Sequence, residues 1–280
     1  MFLIKEKKIL NENTVSMTIE APLIARKALP GQFVIIRADE RCERIPLTIA
    51  GYDADKGTVT VIFQTVGLST IKLSEIQEGG YISDIVGPLG RASELDGIKK
   101  AAVVGGGLGC AIAYPQAKYL YEAGASVDII AGFRNKDVII LENEMKAVCD
   151  NLIILTDDGS NGNKGLVTDG LKSLIESGKK YDIVIVIGPP VMMKFVSMLT
   201  KEYGIKTIVS MNPIMIDGTG MCGGCRISVG GEMKFACVDG PDFDGHLVDF
   251  DALIKRNAMY REEEQENCNL FRAAKELNNG

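Results

Sequence analysis

Ala101-Ala102-Val103-Val104-Gly105-Gly106-Gly107-Leu108-Gly109 is an unbroken apolar run that ends in a cluster of glycines. A helix-length stretch, Ala111–Glu122, follows it. Apolar residues without alternation, bounded by turn signals, mark a strand buried on both faces, as in a parallel sheet. Glycines at a strand-to-helix turn let the backbone approach a pyrophosphate, and the helix start offers free N–H groups and the positive end of its dipole. The plainer reading is a tight turn. In this strand–turn–helix context dinucleotide binding is the favoured one, with Gly105, Gly106, Gly107 and Gly109 as candidates. The G-x-G-x-x-G pattern is incomplete, because Cys110 stands where the third glycine belongs. The next run, Val127–Ala131, ends in Gly132-Phe133-Arg134 with no acid to hold a ribose. An ordinary dinucleotide-binding Rossmann domain is therefore not expected.

The same character extends outward. Leu152–Leu155, Ile183–Ile187 and Thr207–Val209 are further apolar runs, and Val191–Tyr203 is another helix-length stretch. Strands alternating with helices predict a parallel α/β domain over residues 98–212. Ligands of such sheets lie beyond the carboxyl ends of the strands. Gly188-Pro189-Pro190 and Asp157-Asp158-Gly159 close two of those strands. Each alone reads as a loop. Three such ends on one edge predict a site that includes Asp157, Gly188 and Pro189.

Residues 1–97 have a different period. Val15, Met17 and Ile19 alternate with polar neighbours, as do Val59, Val61 and Phe63, between turn signals at Pro30-Gly31 and Lys56-Gly57. Period two in short segments predicts half-buried antiparallel strands, and a small β-barrel closes their edges.

Residues 213–280 break both patterns. Cys222-x2-Cys225-x11-Cys237 places three of the seven cysteines within 16 residues. Thiolates are soft donors suited to iron–sulfur clusters and zinc. Asp217 lies four intervening residues before Cys222, where a plant-type [2Fe–2S] loop has its first cysteine. Asp217, Cys222, Cys225 and Cys237 are thus the candidate ligands. Zinc knuckles favour a second close cysteine pair or histidines, and the chain has a single histidine, His246. Alternatively, Asp217 caps a turn, and water, another cysteine or a partner residue completes the site. The segment from Leu253 to about Leu277 reads as a charged helix whose acidic run is a solvated face.

Composition narrows the class. In 280 residues there is room for two domains and an appendage. A net charge of -6 argues against nucleic acid. No apolar run approaches the ~20 residues of a membrane span, and the charged N-terminus does not suit a signal peptide. An odd cysteine count argues against a disulfide framework. The expectation is a soluble, cytoplasmic protein.

With these residues in hand, the chain resembles the ferredoxin–NADP reductase superfamily across nearly its whole length. Within it the chain is similar to the electron-transfer subunits of dihydroorotate dehydrogenase. It is more similar still to the small subunits of NADH-dependent reduced ferredoxin:NADP oxidoreductases and sulfide dehydrogenases. The closer likeness rests on Arg44-Ile45-Pro46-Leu47-Thr48, the aspartate of the cluster loop, and the tail DFDALIKRNAMYREEEQE. The resemblance implies FAD, one [2Fe–2S] cluster and NAD(H). It makes Arg44, Pro46, Leu47 and Thr48 flavin contacts, lays Phe63, Gln64 and Thr65 along FAD, and puts Ser69 and Thr70 at the pyrophosphate. Gly188-Pro189 matches a Cys-Gly-Pro motif whose cysteine is here Ile187. It further implies a heterodimer with a larger flavin and iron–sulfur subunit, and electron bifurcation linking NADH, NADPH and, through the complex, ferredoxin. The alternatives are a dihydroorotate dehydrogenase subunit and a non-catalytic redox sensor.

Overall fold

The structure is a computed structural model. It describes residues 1–279, with side chains for residues 1–271 and 273. The first part contains β1 (Phe2–Asn11), β2 (Thr14–Glu20), α1 (Pro22–Ala25), β3 (Phe33–Arg37), β4 (Ile45–Asp53), β5 (Thr58–Gln64), α2 (Leu68–Glu75), β6 (Tyr81–Ile82) and β7 (Asp84–Leu89). The strands form one antiparallel sheet in the order β6-β1-β2-β5-β4-β3-β7. Its two outer strands are consecutive in sequence, separated only by Ser83, so the chain itself bridges the seam of the barrel. Alternation sorts the side chains: Val15, Met17, Ile19, Val59, Val61 and Phe63 all point into one buried core. β1 carries Lys5, Lys7 and Lys8 and was not legible as a strand. It holds its place by pairing with β2 and β6 while its charged face meets water.

The second part contains β8 (Lys100–Gly106), α3 (Gly109–Glu122), β9 (Ser126–Phe133), α4 (Glu142–Lys146), β10 (Asn151–Thr156), α5 (Val167–Glu176), β11 (Ile183–Ile187), α6 (Pro190–Glu202) and β12 (Thr207–Ser210). These five strands are parallel, in the order β10-β9-β8-β11-β12. Both faces are covered. Ala101 and Val103 face α3 through Ala113, Ala117 and Leu120. Ala102 and Val104 face Leu171 of α5 and Met193 and Val196 of α6. This is why β8 reads as a continuous apolar run rather than an alternating one.

The remaining elements are β13 (Arg226–Val229), β14 (Glu232–Phe235), α7 (Ala236–Asp239), β15 (Asp242–Asp244), α8 (Phe250–Asn257) and α9 (Arg261–Asn279). β13 and β14 form a hairpin. β15 returns to the six-stranded sheet, antiparallel to β12. Phe250 and Leu253 anchor α8 in the core beneath α6. Among the described residues no helix is long and apolar enough to cross a membrane.

Candidate functional site

β8, β10 and β11 are parallel, so their carboxyl ends lie on one edge, and their loops line a single cleft. Gly106, Gly107, Gly109, Asp157, Gly188 and Pro189 all face it. Two of the loops interlock. A Cβ on Gly109 would collide with the Ile187 carbonyl, and one on Gly106 with Met192 and Pro189. These glycines let the β8 turn lie directly on the β11 turn. Gly107 differs: it has a left-handed backbone, φ +55°, and open space where a side chain would be. Gly105 is not on the cleft; its missing side chain makes room for Cys110, whose Sγ occupies that place. Burial pushes the Cys110 thiol up to about 12, which leaves it protonated and inert. Asp157 is exposed at the cleft, and Arg134 lines the same wall. Asp158 turns away to accept the Ser160 amide, which lowers its carboxyl below the usual range.

The barrel supplies the opposite wall through Phe33, Pro46, Thr48, Gln64, Thr65 and Val66. Strand alternation divides the predicted flavin contacts. Pro46, Thr48 and Gln64 face the cleft, whereas Leu47 and Phe63 point into the barrel core. Arg44 does not line the cleft: it pairs with Asp84 at 2.8 Å. Ser69 donates to Glu43, and Thr70 closes the first turn of α2 by accepting the Gly67 amide and donating to the Gly67 carbonyl. Both residues therefore stand at a helix start, where a phosphate is favoured, but their hydroxyls are engaged locally.

The third wall comes from the chain on either side of the cysteine segment. Met211, Asn212, Pro213, Met215 and Pro241 join the other two walls. Sequence reading missed them, because nothing local marks residues that reach a site through tertiary folding. The cleft has a volume of about 1490 Å³. That exceeds the roughly 300–1,000 Å³ of a single-ligand pocket and has room for a flavin and a dinucleotide together.

In the cysteine segment the donors come as two pairs. Cys225 and Cys237 are buried, with their sulfurs 3.1 Å apart. Burial first, and then the neighbouring Cys225, push the Cys237 thiol up to about 12. Cys222 is exposed and lies next to Asp217, whose carboxylate accepts the amides of Thr219 at 2.9 Å and Cys222 at 3.1 Å. Those N–H groups hold the Asp217 carboxyl below its usual range. Among the described residues no three Cys, His, Asp or Glu side chains converge on one ion. Two pairs suit a two-iron group, which takes two protein ligands per iron, better than a single tetrahedral zinc. The other cysteines and His246 lie outside this segment. His246 joins Thr200 and Thr207 in a hydrogen-bonded chain under α6.

Residues 212–249 match the family model of the iron–sulfur cluster binding domain of dihydroorotate dehydrogenase B. The chain is 47% identical over 263 residues to a homologue of the dihydroorotate dehydrogenase B (NAD(+)) electron transfer subunit from Thermotoga maritima, covering 94% of this chain and 92% of that one. It is 32% identical to the corresponding electron transfer subunit of Geobacillus thermodenitrificans, covering 85% and 93%. The chain belongs to this family of electron-transfer subunits. Its members are oxidoreductase subunits, and their fold joins an antiparallel barrel to a parallel sheet and an iron–sulfur segment. A solved chain of the NADH-dependent reduced ferredoxin-NADP oxidoreductase, described for flavin-based electron bifurcation, superposes on it with a TM-score of 0.91. That match has 45% identity and covers 97% of this chain and 98% of the other.

Proposed function

We propose that the chain is the small, cytoplasmic subunit of a flavin-based bifurcating complex. It passes electrons between NAD(H), FAD and a [2Fe–2S] cluster, to or from a larger flavin and iron–sulfur subunit that engages ferredoxin. The observation that carries this reading is the single cleft walled by barrel, glycine-rich strand ends and the flanks of the cysteine segment. A bifurcating role is favoured over a dihydroorotate dehydrogenase role by the ferredoxin-NADP oxidoreductase chain, which matches 97% of this chain at 45% identity, against 85% at 32% for the Geobacillus thermodenitrificans subunit. The 47% identity to the Thermotoga maritima homologue of the dihydroorotate-type subunit does not separate the two roles. A redox sensor would not need a cleft roomy enough for a second, exchangeable ligand.

The division of labour follows residues 1–97 for FAD, 98–212 for the dinucleotide and 213–280 for the cluster and tail. Pro46, Thr48, Gln64 and Thr65 hold the flavin from the barrel side, while the α2 start, with Ser69 and Thr70, offers amides to its pyrophosphate. Gly107 and Gly188-Pro189 leave backbone open to the nicotinamide half of the dinucleotide. Asp157 disfavours a 2′-phosphate by like charge, so NADH is preferred over NADPH despite Arg134. Asp217 with Cys222, and Cys225 with Cys237, would each serve one iron. FAD, when bound, converts the two-electron chemistry of a nicotinamide into the single-electron steps a cluster can take. The protein's contribution is placement, exclusion of water and tuning.

The test is to isolate the chain with its natural partner and compare NADH with NADPH as reductant. Faster flavin bleaching by NADH, and reduction of NADP+ to NADPH that requires reduced ferredoxin and NADH together, with ferredoxin and NADH oxidised in turn, are the expected results. Orotate formation by the purified complex would point to the dihydroorotate-type role instead. For the ligand set, Asp217→Cys should keep the cluster with an altered paramagnetic spectrum, and Asp217→Ala should destabilise it. Unchanged iron content and spectrum in Asp217→Ala would remove the aspartate from the site.

A further inference from the structure

The two residues between Cys222 and Cys225 present a pattern that cluster ligation alone does not require. Both of their carbonyls are held by guanidinium groups. Arg226 Nη1 donates to the Gly223 carbonyl at 3.1 Å, and Arg256 Nη2 donates to the Gly224 carbonyl at 3.0 Å. Arg226 follows the turn directly and is exposed, at the start of β13. Arg256 arrives from 32 residues away, in the last turn of α8. That helix is fixed in place. Asp249 caps its start, Lys194 of α6 pairs with Asp251 at 2.7 Å, and Phe250 and Leu253 are buried. Arg256 is partly buried, and its Nε is shut off from water with no partner. Among the described residues no carboxylate forms an ion pair with either arginine.

The consequence for the turn is directional. The Gly223 carbonyl and the Gly224 N–H belong to one peptide, so with that carbonyl held by Arg226 the Gly224 amide turns the other way and donates to Cys222 Sγ at 3.4 Å. The carbonyl that Arg256 holds belongs to the next peptide, Gly224–Cys225, and fixes the turn between the two cysteines. At the start of α7 the Cys237 amide likewise donates to Cys225 Sγ at 3.4 Å. Hydrogen bonds to ligand sulfurs and nearby positive charge both stabilise the more negative, reduced form of an iron–sulfur cluster. Cluster reduction adds one electron and one unit of negative charge and breaks no bond. A fixed guanidinium that lacks a counter-charge is therefore worth more to the reduced form than to the oxidised one.

We propose that Arg226 and Arg256 are positioning residues that raise the reduction potential of the cluster. Arg226 acts through the Gly223–Gly224 peptide, Arg256 through the turn it fixes, and both through their own unpaired charge. This rests on the reading that Cys222 and Cys225 are cluster ligands. Arg256 is the stronger of the two, because Arg226 is exposed and its charge is screened by salt. Arg256 also joins the cluster turn to α8, and through Lys194 to the nucleotide sheet, so it fixes the donor loop relative to the cleft.

The experiment uses the full chain, anaerobically reconstituted with iron and sulfide and poised at one ambient potential. The reduced fraction is read by electron paramagnetic resonance, and iron is assayed in each sample. For Arg256→Gln the ratio of reduced to oxidised cluster should fall roughly tenfold, equivalent to ~59 mV for one electron. Arg256→Lys should recover most of that ratio, since the charge stays. Arg226→Gln should lower it about threefold at low salt and by less in high salt. A ratio equal to or above wild type in iron-replete Arg256→Gln overturns the inference. If Arg256→Gln loses iron, Arg256→Lys and Arg226→Gln decide: a wild-type ratio in Arg226→Gln at low salt overturns it. A wild-type chain that takes up no iron–sulfur cluster defeats the ligand reading itself, which separates the two failures.

Discussion

The parallel sheet and the cysteine segment hold their shapes by opposite means. In the sheet, β8 and β11 are buried along almost their whole length, and helices cover both faces. Apolar burial and ladder hydrogen bonds suffice there, and the site on its edge is a by-product of loops that can pack closely. In the segment around residues 217–239 the only regular pairing is a short hairpin, and the turns at Gly218, Gly220 and Gly223 run through left-handed backbone. Ile227 and Ala236 anchor it in the core of the sheet, and its loops are shaped by polar contacts: amides to Asp217, amides to sulfur, arginines to carbonyls. A region of the first kind tolerates loss of its ligand. A region of the second kind is completed by it, much as small metal sites draw folding energy from the metal.

The largest expected effect separates the two regions outright. Cys225→Ala should abolish cluster binding, seen as loss of iron, while the barrel and sheet keep their far-ultraviolet dichroism and their flavin. A sheet that melts together with the cluster would show the two regions to be one cooperative unit. Next is a change confined to the sheet. Asp128 is buried on β9 and is held by Lys179, Tyr181 and Asn151 at the edge remote from the cleft. Burial pushes its carboxyl up, but those three partners together bring it below the usual range. Asp128→Ala should cost on the order of 3 kcal/mol in urea unfolding, because it strands the partners of a buried charge. Iron and flavin content should not change.

A third prediction lies where the regions meet. Asp242 of β15 accepts from Ser93, which lies in the chain linking barrel to sheet, and its Oδ1 is buried without a partner. Burial pushes its carboxyl up to about 6, against the Ser93 and Ser210 hydrogen bonds that favour the charged form. The folded state thus holds a proton that the unfolded chain, with an ordinary carboxyl near ~4, has released. Stability from this group is full below about pH 4, declines as the pH rises towards 6, and is lost above it, by an amount on the order of 2 kcal/mol. Urea midpoints across that window should fall with rising pH, and Asp242→Asn should flatten the slope. The smallest effect belongs to the barrel wall. Thr48→Val removes one hydroxyl from the cleft and should weaken FAD retention about fivefold, or ~1 kcal/mol, measured by flavin release on dilution. Phe63→Leu should leave retention unchanged and lower stability instead, since Phe63 faces the core.

The same contrast governs what the sequence revealed. The apolar runs at 101–104, 127–131 and 183–187 are all buried strands, because burial on two faces leaves no other pattern. Alternation around Met17 and Val61 marked barrel strands for the equivalent reason. The cysteine spacing marked its own segment. What stayed illegible was assembled at a distance. Residues 68–75 have a weak apolar stripe, so α2 was hidden among strands. Asn212 and Pro241 enter the cleft only because β12 and β15 pair side by side. Arg44 stands off the cleft wall because Asp84, forty residues on, pairs with its guanidinium. Arg256 sits in a run that reads as a charged surface helix, and only the packing of α8 brings it to Gly224.

The central claim is that one cleft lets NADH reduce a flavin whose electrons then leave singly through the cysteine segment. The direct measurement is an anaerobic, rapid-mixing experiment on the reconstituted full chain with stoichiometric NADH. Absorbance follows the flavin, and paramagnetic resonance of freeze-quenched samples follows the cluster. The account predicts rapid flavin bleaching in wild type, and a one-electron [2Fe–2S] signal that arises after the bleaching and is missing from Cys225→Ala. A flavin that stays oxidised under NADH, or a cluster signal that precedes flavin reduction, would contradict it.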